Sequence, residues 1–148
     1  MIALPPLALY IHVPWCVRKC PYCDFNSHQA VGDLPVAAYV QALLANAAQQ
    51  VERAQSRTID TIFIGGGTPS LLPASAYATL FDGLQQLYRF ADDIEITLEA
   101  NPGTVEQDKF RAYRELGINR LSIGIQSFSP EKLQALGRIH GRDEALRA

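Results

Sequence analysis

The chain has 148 residues, 48% of them hydrophobic and 19% charged, with a formal net charge of −2. That composition belongs to a globular chain able to bury one sizeable core, and it sets aside the disordered and collagen-like classes. No basic run supports nucleic-acid binding, no apolar run approaches the ~20 residues of a membrane helix, and the start Met1-Ile2-Ala3-Leu4-Pro5-Pro6 lacks the basic and long apolar parts of a secretory signal. A cytoplasmic location is the expectation.

Residues 9–13 read as a short strand. Asp33 is placed to cap a helix that carries Val36, Tyr39, Val40, Leu43, Leu44, Ala47 and Val51 at helical spacing. Residues 61–64 read as a second, buried strand closed by Gly65-Gly66-Gly67. Tyr77, Leu80, Phe81, Leu84, Leu87 and Tyr88 then mark one helix face. Residues 95–99 alternate as a third strand. Thr104 and Gln107 form a capping box for a helix through Phe110, Tyr113 and Leu116, which Gly117 ends. Residues 120–126 alternate as a fourth strand, and Ser129-Pro130 opens a helix through Leu133 and Leu136.

Strands alternating with helices predict an α/β fold with a parallel sheet and outer helices. In the fourth strand Leu121, Ile123 and Ile125 fall on one face and Ser122, Gly124 and Gln126 on the other. A flat parallel sheet is apolar on both sides, so a polar face predicts a curved (β/α) TIM-like barrel. Four units make about half of a barrel of ~250 residues, and a helical pattern still runs at Ala148. Residues 1–148 are therefore expected to be the N-terminal part of a longer barrel domain, with its last strand left as an edge.

Cys16, Cys20 and Cys23, the three cysteines, form a CxxxCxxC pattern directly after the first strand. An odd number of clustered thiols points to metal rather than a disulfide framework. Iron and zinc both favour sulfur ligands. Three thiolates on a four-iron cluster would leave one iron open to a substrate. A structural zinc would need a fourth ligand, which His12 or His28 could supply. Arg18 and Lys19 are placed to favour the thiolate forms. Four features each follow a different strand: the cysteine loop, the Gly65-Gly66-Gly67-Thr68-Pro69 loop, Glu99 and Gln126. In a β/α barrel that rim carries the active site. The glycines are expected to bring backbone N–H groups close to a ligand. Tyr10 and His12 share a face of the first strand, and Trp15 either shields a cluster or packs as core.

The CxxxCxxC loop with Tyr22 before its last cysteine resembles the signature of the radical SAM superfamily. The resemblance implies a [4Fe–4S] cluster on Cys16, Cys20 and Cys23, with S-adenosylmethionine (SAM) chelated at the open iron. It implies SAM contacts from Tyr10, Tyr22, Gly66, Gly67, Thr68, Glu99, Gln126 and Arg138. Within the superfamily, the stretches at 9–16, 20–28, 65–72, 99–104 and 136–141 resemble the HemW-type heme chaperones and their relatives, the oxygen-independent coproporphyrinogen III oxidases. Those oxidases carry a fourth cysteine two residues after the last cluster ligand, where this chain has Phe25. The resemblance thus implies heme as cargo, respiratory hemoproteins as acceptors and an electron donor as a partner. Oxidase activity is the alternative, disfavoured by Phe25, and a zinc module is the third reading. His28 and His140 are candidates for a heme ligand.

Overall fold

The computed structural model describes residues 4–102 and 107–148. In chain order it contains β1 (Leu7–Val13), β2 (Trp15–Cys16), β3 (His28–Gln29), α1 (Val36–Ala54), β4 (Ile59–Gly66), α2 (Ala74–Leu87), β5 (Phe90–Ala100), α3 (Gln107–Glu115), β6 (Arg120–Ile123), α4 (Pro130–Ala135) and α5 (Arg142–Arg147), with a 3-10 turn at Pro69–Leu71. Strands β1, β4, β5 and β6 form one sheet in that order, every pair parallel. Each strand thus lies beside the next long one in sequence, as repeated strand–helix crossovers require.

The two faces of this sheet differ in kind. Ile11, Val13, Ile62, Ile64, Ile96, Leu98 and Ala100 are buried on the outer face against the helices, which contribute Val40 of α1, Tyr77, Leu80, Phe81 and Leu84 of α2, and Tyr113 of α3. Full burial of such a side chain is worth roughly 1.5–3 kcal/mol, so this face carries most of the stability. The other face presents cross-strand rows. Tyr10 lies beside Phe63, Phe63 beside Thr97, and Thr97 beside Arg120. One layer below, Arg120 reaches Glu95 at 3.0 Å and the Thr97 hydroxyl donates to the same carboxylate at 3.2 Å. A polar and aromatic inner face is what the alternation in residues 120–126 predicts. Among the described residues β6 is an edge, and Leu121 within it is exposed.

Local differences from the sequence reading have simple causes. Asp33 does not cap α1. Pro35 holds the N-cap position and makes no side-chain cap bond, since a proline can set the entry angle without one. The capping box assigned to Thr104 lies outside the described residues. The fourth strand stops at Ile123 rather than Gln126, because the Ile125 N–H turns back to the Ile123 carbonyl at 3.0 Å. Strands β2 and β3 pair in parallel over two residues each, too short for any alternation to reveal. The cap at Ser129 is as predicted: its side chain accepts from the Lys132 N–H, with Pro130 next in the helix.

Candidate cofactor site

The glycine loop after β4 is built for contact with protein backbone. A Cβ on Gly67 would lie 2.5 Å from the Trp15 carbonyl oxygen and 3.0 Å from Cys16 Sγ. Gly66 has φ +115, and a Cβ there would lie 2.7 Å from the Val13 carbonyl oxygen. Only glycine fits either place. The N–H of Gly67 donates to Val13 at 2.7 Å, that of Thr68 to Trp15 at 2.7 Å, and that of Gly66 to Glu99 Oε2 at 3.3 Å. All three N–H groups are spent within the chain, which corrects the expectation that they serve a ligand. Beneath the loop, two buried tyrosines hold the 3-10 turn. Tyr77 donates to the Pro69 carbonyl at 2.8 Å, and the Tyr113 hydroxyl lies 2.5 Å from the Leu72 carbonyl. Burial pushes both phenols above their usual 10.0, Tyr77 further through its neighbours Tyr113 and Tyr39, so both remain donors at any ordinary pH.

The cysteine loop is held differently. The three thiols are free, Cys16 buried and Cys20 and Cys23 half-buried. Lys19 donates to the carbonyls of Phe25 at 3.3 Å and Ser27 at 3.1 Å; it ties the loop's far side together instead of standing over the thiols as expected. His12 Nε2 lies 2.7 Å from the Asn26 carbonyl and Nδ1 2.8 Å from the Tyr10 hydroxyl. A carbonyl only accepts, so Nε2 carries the proton and a neutral ring accepts from Tyr10 at Nδ1. Burial, with help from the Glu99 carboxylate, pushes the Tyr10 phenol up and keeps it a donor. Trp15 packs edge-on against Tyr39 of α1, ring centroids 4.7 Å apart. This is the core-packing role expected of it.

Arg138 joins the two sides of the rim. It follows α4, whose end is closed by the Gly137 N–H to the Gln134 carbonyl and the Arg138 N–H to the Leu133 carbonyl, both at 2.9 Å, with Gly137 at φ +68. Its guanidinium donates to Asn101 Oδ1 at 2.6 Å, to the Gly124 carbonyl, to Tyr22 Oη at 3.4 Å and to Cys20 Sγ at 3.5 Å. Asn101 in turn donates to Thr68 Oγ1 at 3.1 Å. Sequence reasoning missed Asn101; its place before Pro102 at a strand end was the available signal. Of the residues expected in the site, Cys16, Cys20, Tyr22, Cys23, Gly66, Gly67, Thr68, Glu99, Gln126 and Arg138 all line one cleft of about 250 Å³. Tyr10 does not. It lines a neighbouring cleft with His12, Asn26 and Phe63, which shares Phe25, Gly66 and Glu99 with the first.

The two candidate heme histidines differ. His28 is exposed on β3, whereas His140 is 3% exposed with Nε2 placed 3.0 Å from the Ile125 carbonyl. Buried and engaged, His140 is no longer a candidate for an open axial ligand.

The donor set fits a cluster better than a single ion. Three soft thiols line one cleft. A tetrahedral structural zinc requires a fourth ligand beside the three thiols. His12, a suggested fourth zinc ligand, has both nitrogens engaged.

Comparison with known proteins agrees with this geometry. The family model described as the radical SAM superfamily matches residues 10–148. The chain belongs to the radical SAM superfamily. Membership brings SAM and a [4Fe–4S] cluster with it as the family's cofactors. Among curated relatives, the heme chaperone HemW of Escherichia coli is 61% identical over 148 residues, which are 100% of this chain and 39% of that protein. HemW of Haemophilus influenzae is 53% identical, over 100% of this chain and 40% of that protein. The chain thus spans about two fifths of the length of these relatives. Among solved structures, the coproporphyrinogen III oxidase HemN of Escherichia coli, a radical SAM enzyme, superposes with a TM-score of 0.87 at 29% identity, covering 96% of this chain and 33% of that one. That likeness bears out the radical SAM barrel over a flat doubly wound sheet. No helix of the described residues is long and apolar enough to cross a membrane.

Proposed function

We propose that the protein containing this segment is a heme chaperone of the HemW type, binding heme as cargo and passing it to respiratory hemoproteins in the cytoplasm. The observation that carries this reading is the 61% identity to HemW along the whole chain, against 29% to the coproporphyrinogen III oxidase. Phe25 supports it, since it stands where the oxidase pattern has its fourth cysteine. Residues 1–148 are then the N-terminal part of the barrel domain.

In this reading Cys16, Cys20 and Cys23 hold the cluster, and SAM lies in the cleft between the cysteine loop and the β5–β6 rim. Bound there, the two cofactors supply one-electron chemistry at a sulfonium centre, with an electron donor as a further partner. The chain's own groups bind and orient. An ammonium can only donate, so it needs acceptors. Glu99 is one, and the carbonyls of Gly66 and Gly67 are the others, their N–H groups being already engaged. Arg138 is the cation for a carboxylate, reached through a planar fork already oriented by Asn101 and Gly124. Thr68 and Gln126 offer polar side-chain groups at the cleft wall beside Tyr22, and Tyr10 stands in the adjoining cleft that shares Glu99.

Titrating the cluster-loaded full-length protein with heme tests the function. A stoichiometric Soret shift is expected, and no shift would reject the chaperone reading. The oxidase reading has the close fold match in its favour. It requires protoporphyrinogen from coproporphyrinogen III under anaerobic, reducing conditions with SAM, and we expect none.

A further inference from the structure

We propose that His140 is a positioning residue for Gln126: its imidazole N–H pins the Ile125 carbonyl and so holds Gln126 in the strained backbone conformation that turns its side chain to the cleft. The inference rests on the reading that Gln126 contacts SAM.

Gln126 has φ +72. The left-handed region costs a residue with a Cβ roughly 1–2 kcal/mol, and such strain persists only where the surroundings impose it. Nothing regular does so here, because β6 ends at Ile123. The segment after it is instead fixed peptide by peptide. The Gly124 N–H donates to Ala100 at 2.9 Å and its carbonyl accepts from Arg138. The Ile125 N–H donates to Ile123 at 3.0 Å. The Ile125 carbonyl, which belongs to the peptide that sets φ of Gln126, lies 3.0 Å from His140 Nε2.

His140 suits this task and no ligand-facing one. It is 3% exposed, in the turn between α4 and α5. Its partner is a carbonyl, so Nε2 is the protonated nitrogen. Nδ1 is buried with no hydrogen-bond partner among the described residues, a cost accepted only if the other nitrogen's bond matters. Burial lowers the affinity of the ring for a second proton, and Arg138 adds to this. The same turn carries Arg138 to Gly124, so residues 138 and 140 grip consecutive peptides of the post-β6 segment from one side.

SAM binding to the cluster-loaded protein, measured by equilibrium dialysis, tests the proposal with four variants: Gln126→Ala, His140→Leu, His140→Gln and the double variant Gln126→Ala/His140→Leu. Losing one hydrogen bond corresponds to a weakening of up to about tenfold. His140→Leu is expected to weaken SAM by that amount with iron content unchanged. His140→Gln, whose amide N–H reaches the same carbonyl, is expected to stay within about twofold of the parent. The double variant should bind no more weakly than Gln126→Ala alone, since the histidine acts through that residue. Parental affinity in His140→Leu, or additive losses in the double variant, overturns the proposal. If His140→Leu does not fold, His140→Asn replaces it, being too short to reach Ile125; parental affinity there also overturns the proposal. If Gln126→Ala itself binds SAM like the parent, the assignment of Gln126 to the SAM site is what has failed.

Discussion

The two loops that face each other across the cleft are held by opposite means. The glycine loop after β4 is a backbone construction. Its N–H groups bond to β1, β2 and Glu99, and two tyrosine hydroxyls grip the turn below it. The cysteine loop has two short backbone bonds of its own, Cys23 N–H to Cys20 and Ser27 N–H to Phe25, and is otherwise tied down by side chains: Lys19 to the Phe25 and Ser27 carbonyls, His12 to the Asn26 carbonyl, and Arg138 to Cys20 Sγ and Tyr22 Oη. A backbone lattice cannot yield without breaking many bonds, whereas a side-chain tether can shift by rotamer. The wall is thus preformed, and the cysteine loop, which in the proposed reading closes its thiolates on a cluster, keeps room to adjust. This difference is one of local stability rather than overall fold.

The comparison breaks most visibly at the thiols. Cys16→Ser, Cys20→Ser or Cys23→Ser should each abolish the cluster, read as loss of about four irons per chain and of the broad brown absorption after anaerobic reconstitution, while far-UV circular dichroism stays unchanged. Retention of iron and sulfide in all three variants would mean the loop is not the ligand set.

Next come the wall and its supports. Gly67→Ala drives a Cβ into the Trp15 carbonyl and should destabilise by about 2–3 kcal/mol, at the upper end of what overpacking costs. The nearest atoms a Gly65→Ala Cβ meets belong to the Phe63 ring and the Glu99 carboxylate, movable side-chain ends, and the change should cost well under that. Denaturant unfolding of the pair measures the contrast; equal losses would mean the wall is no stiffer than its surroundings. Tyr113→Phe removes one buried hydroxyl from the turn and leaves the Leu72 carbonyl short of a donor, for about 1–2 kcal/mol. Lys19→Met should cost less, under about 1 kcal/mol because the side chain is exposed. It should instead speed amide exchange in residues 24–28 with the exchange of β4 unaltered.

The smallest effect is on pH. Burial holds the His140 pKa below 6.5, with Arg138 adding to this and the Ile125 carbonyl and Glu144 opposing it. The unfolded chain therefore takes up that proton first. Stability is complete above pH 6.5 and declines as pH falls through the window below it. Tyr77 and Tyr113 act at the other end. Their raised pKa values leave stability intact below pH 10 and erode it above, as the unfolded phenols ionise first. Substituting His140 with Gln should flatten the acid side of a thermal-stability profile and leave the alkaline side in place.

Much of this was legible in the chain itself. The step of Tyr77, Leu80, Phe81 and Leu84 marked α2, and these four are all buried on one face. Alternation through Ser122, Gly124 and Gln126 disclosed a polar inner side, and all three line the cleft. The cysteine spacing and the glycine run named both loops. What stayed hidden was pairing across distance. Nothing in the spacing of Asn101, Arg138 and Gly124 announces that one guanidinium joins them.

Covalent spacing and apolar periodicity are written along the chain, so the order of strands and helices, the curved sheet's polar face and the sulfur-rich loop were settled before any folding. The occupation of the Gly66–Thr68 N–H groups, the tethering of Lys19 and the burial of His140 beside Ile125 were decided only in three dimensions. A hydrogen bond depends on which groups folding brings within about 3 Å of each other, and residues far apart in sequence meet there only once the outer face has closed on its core.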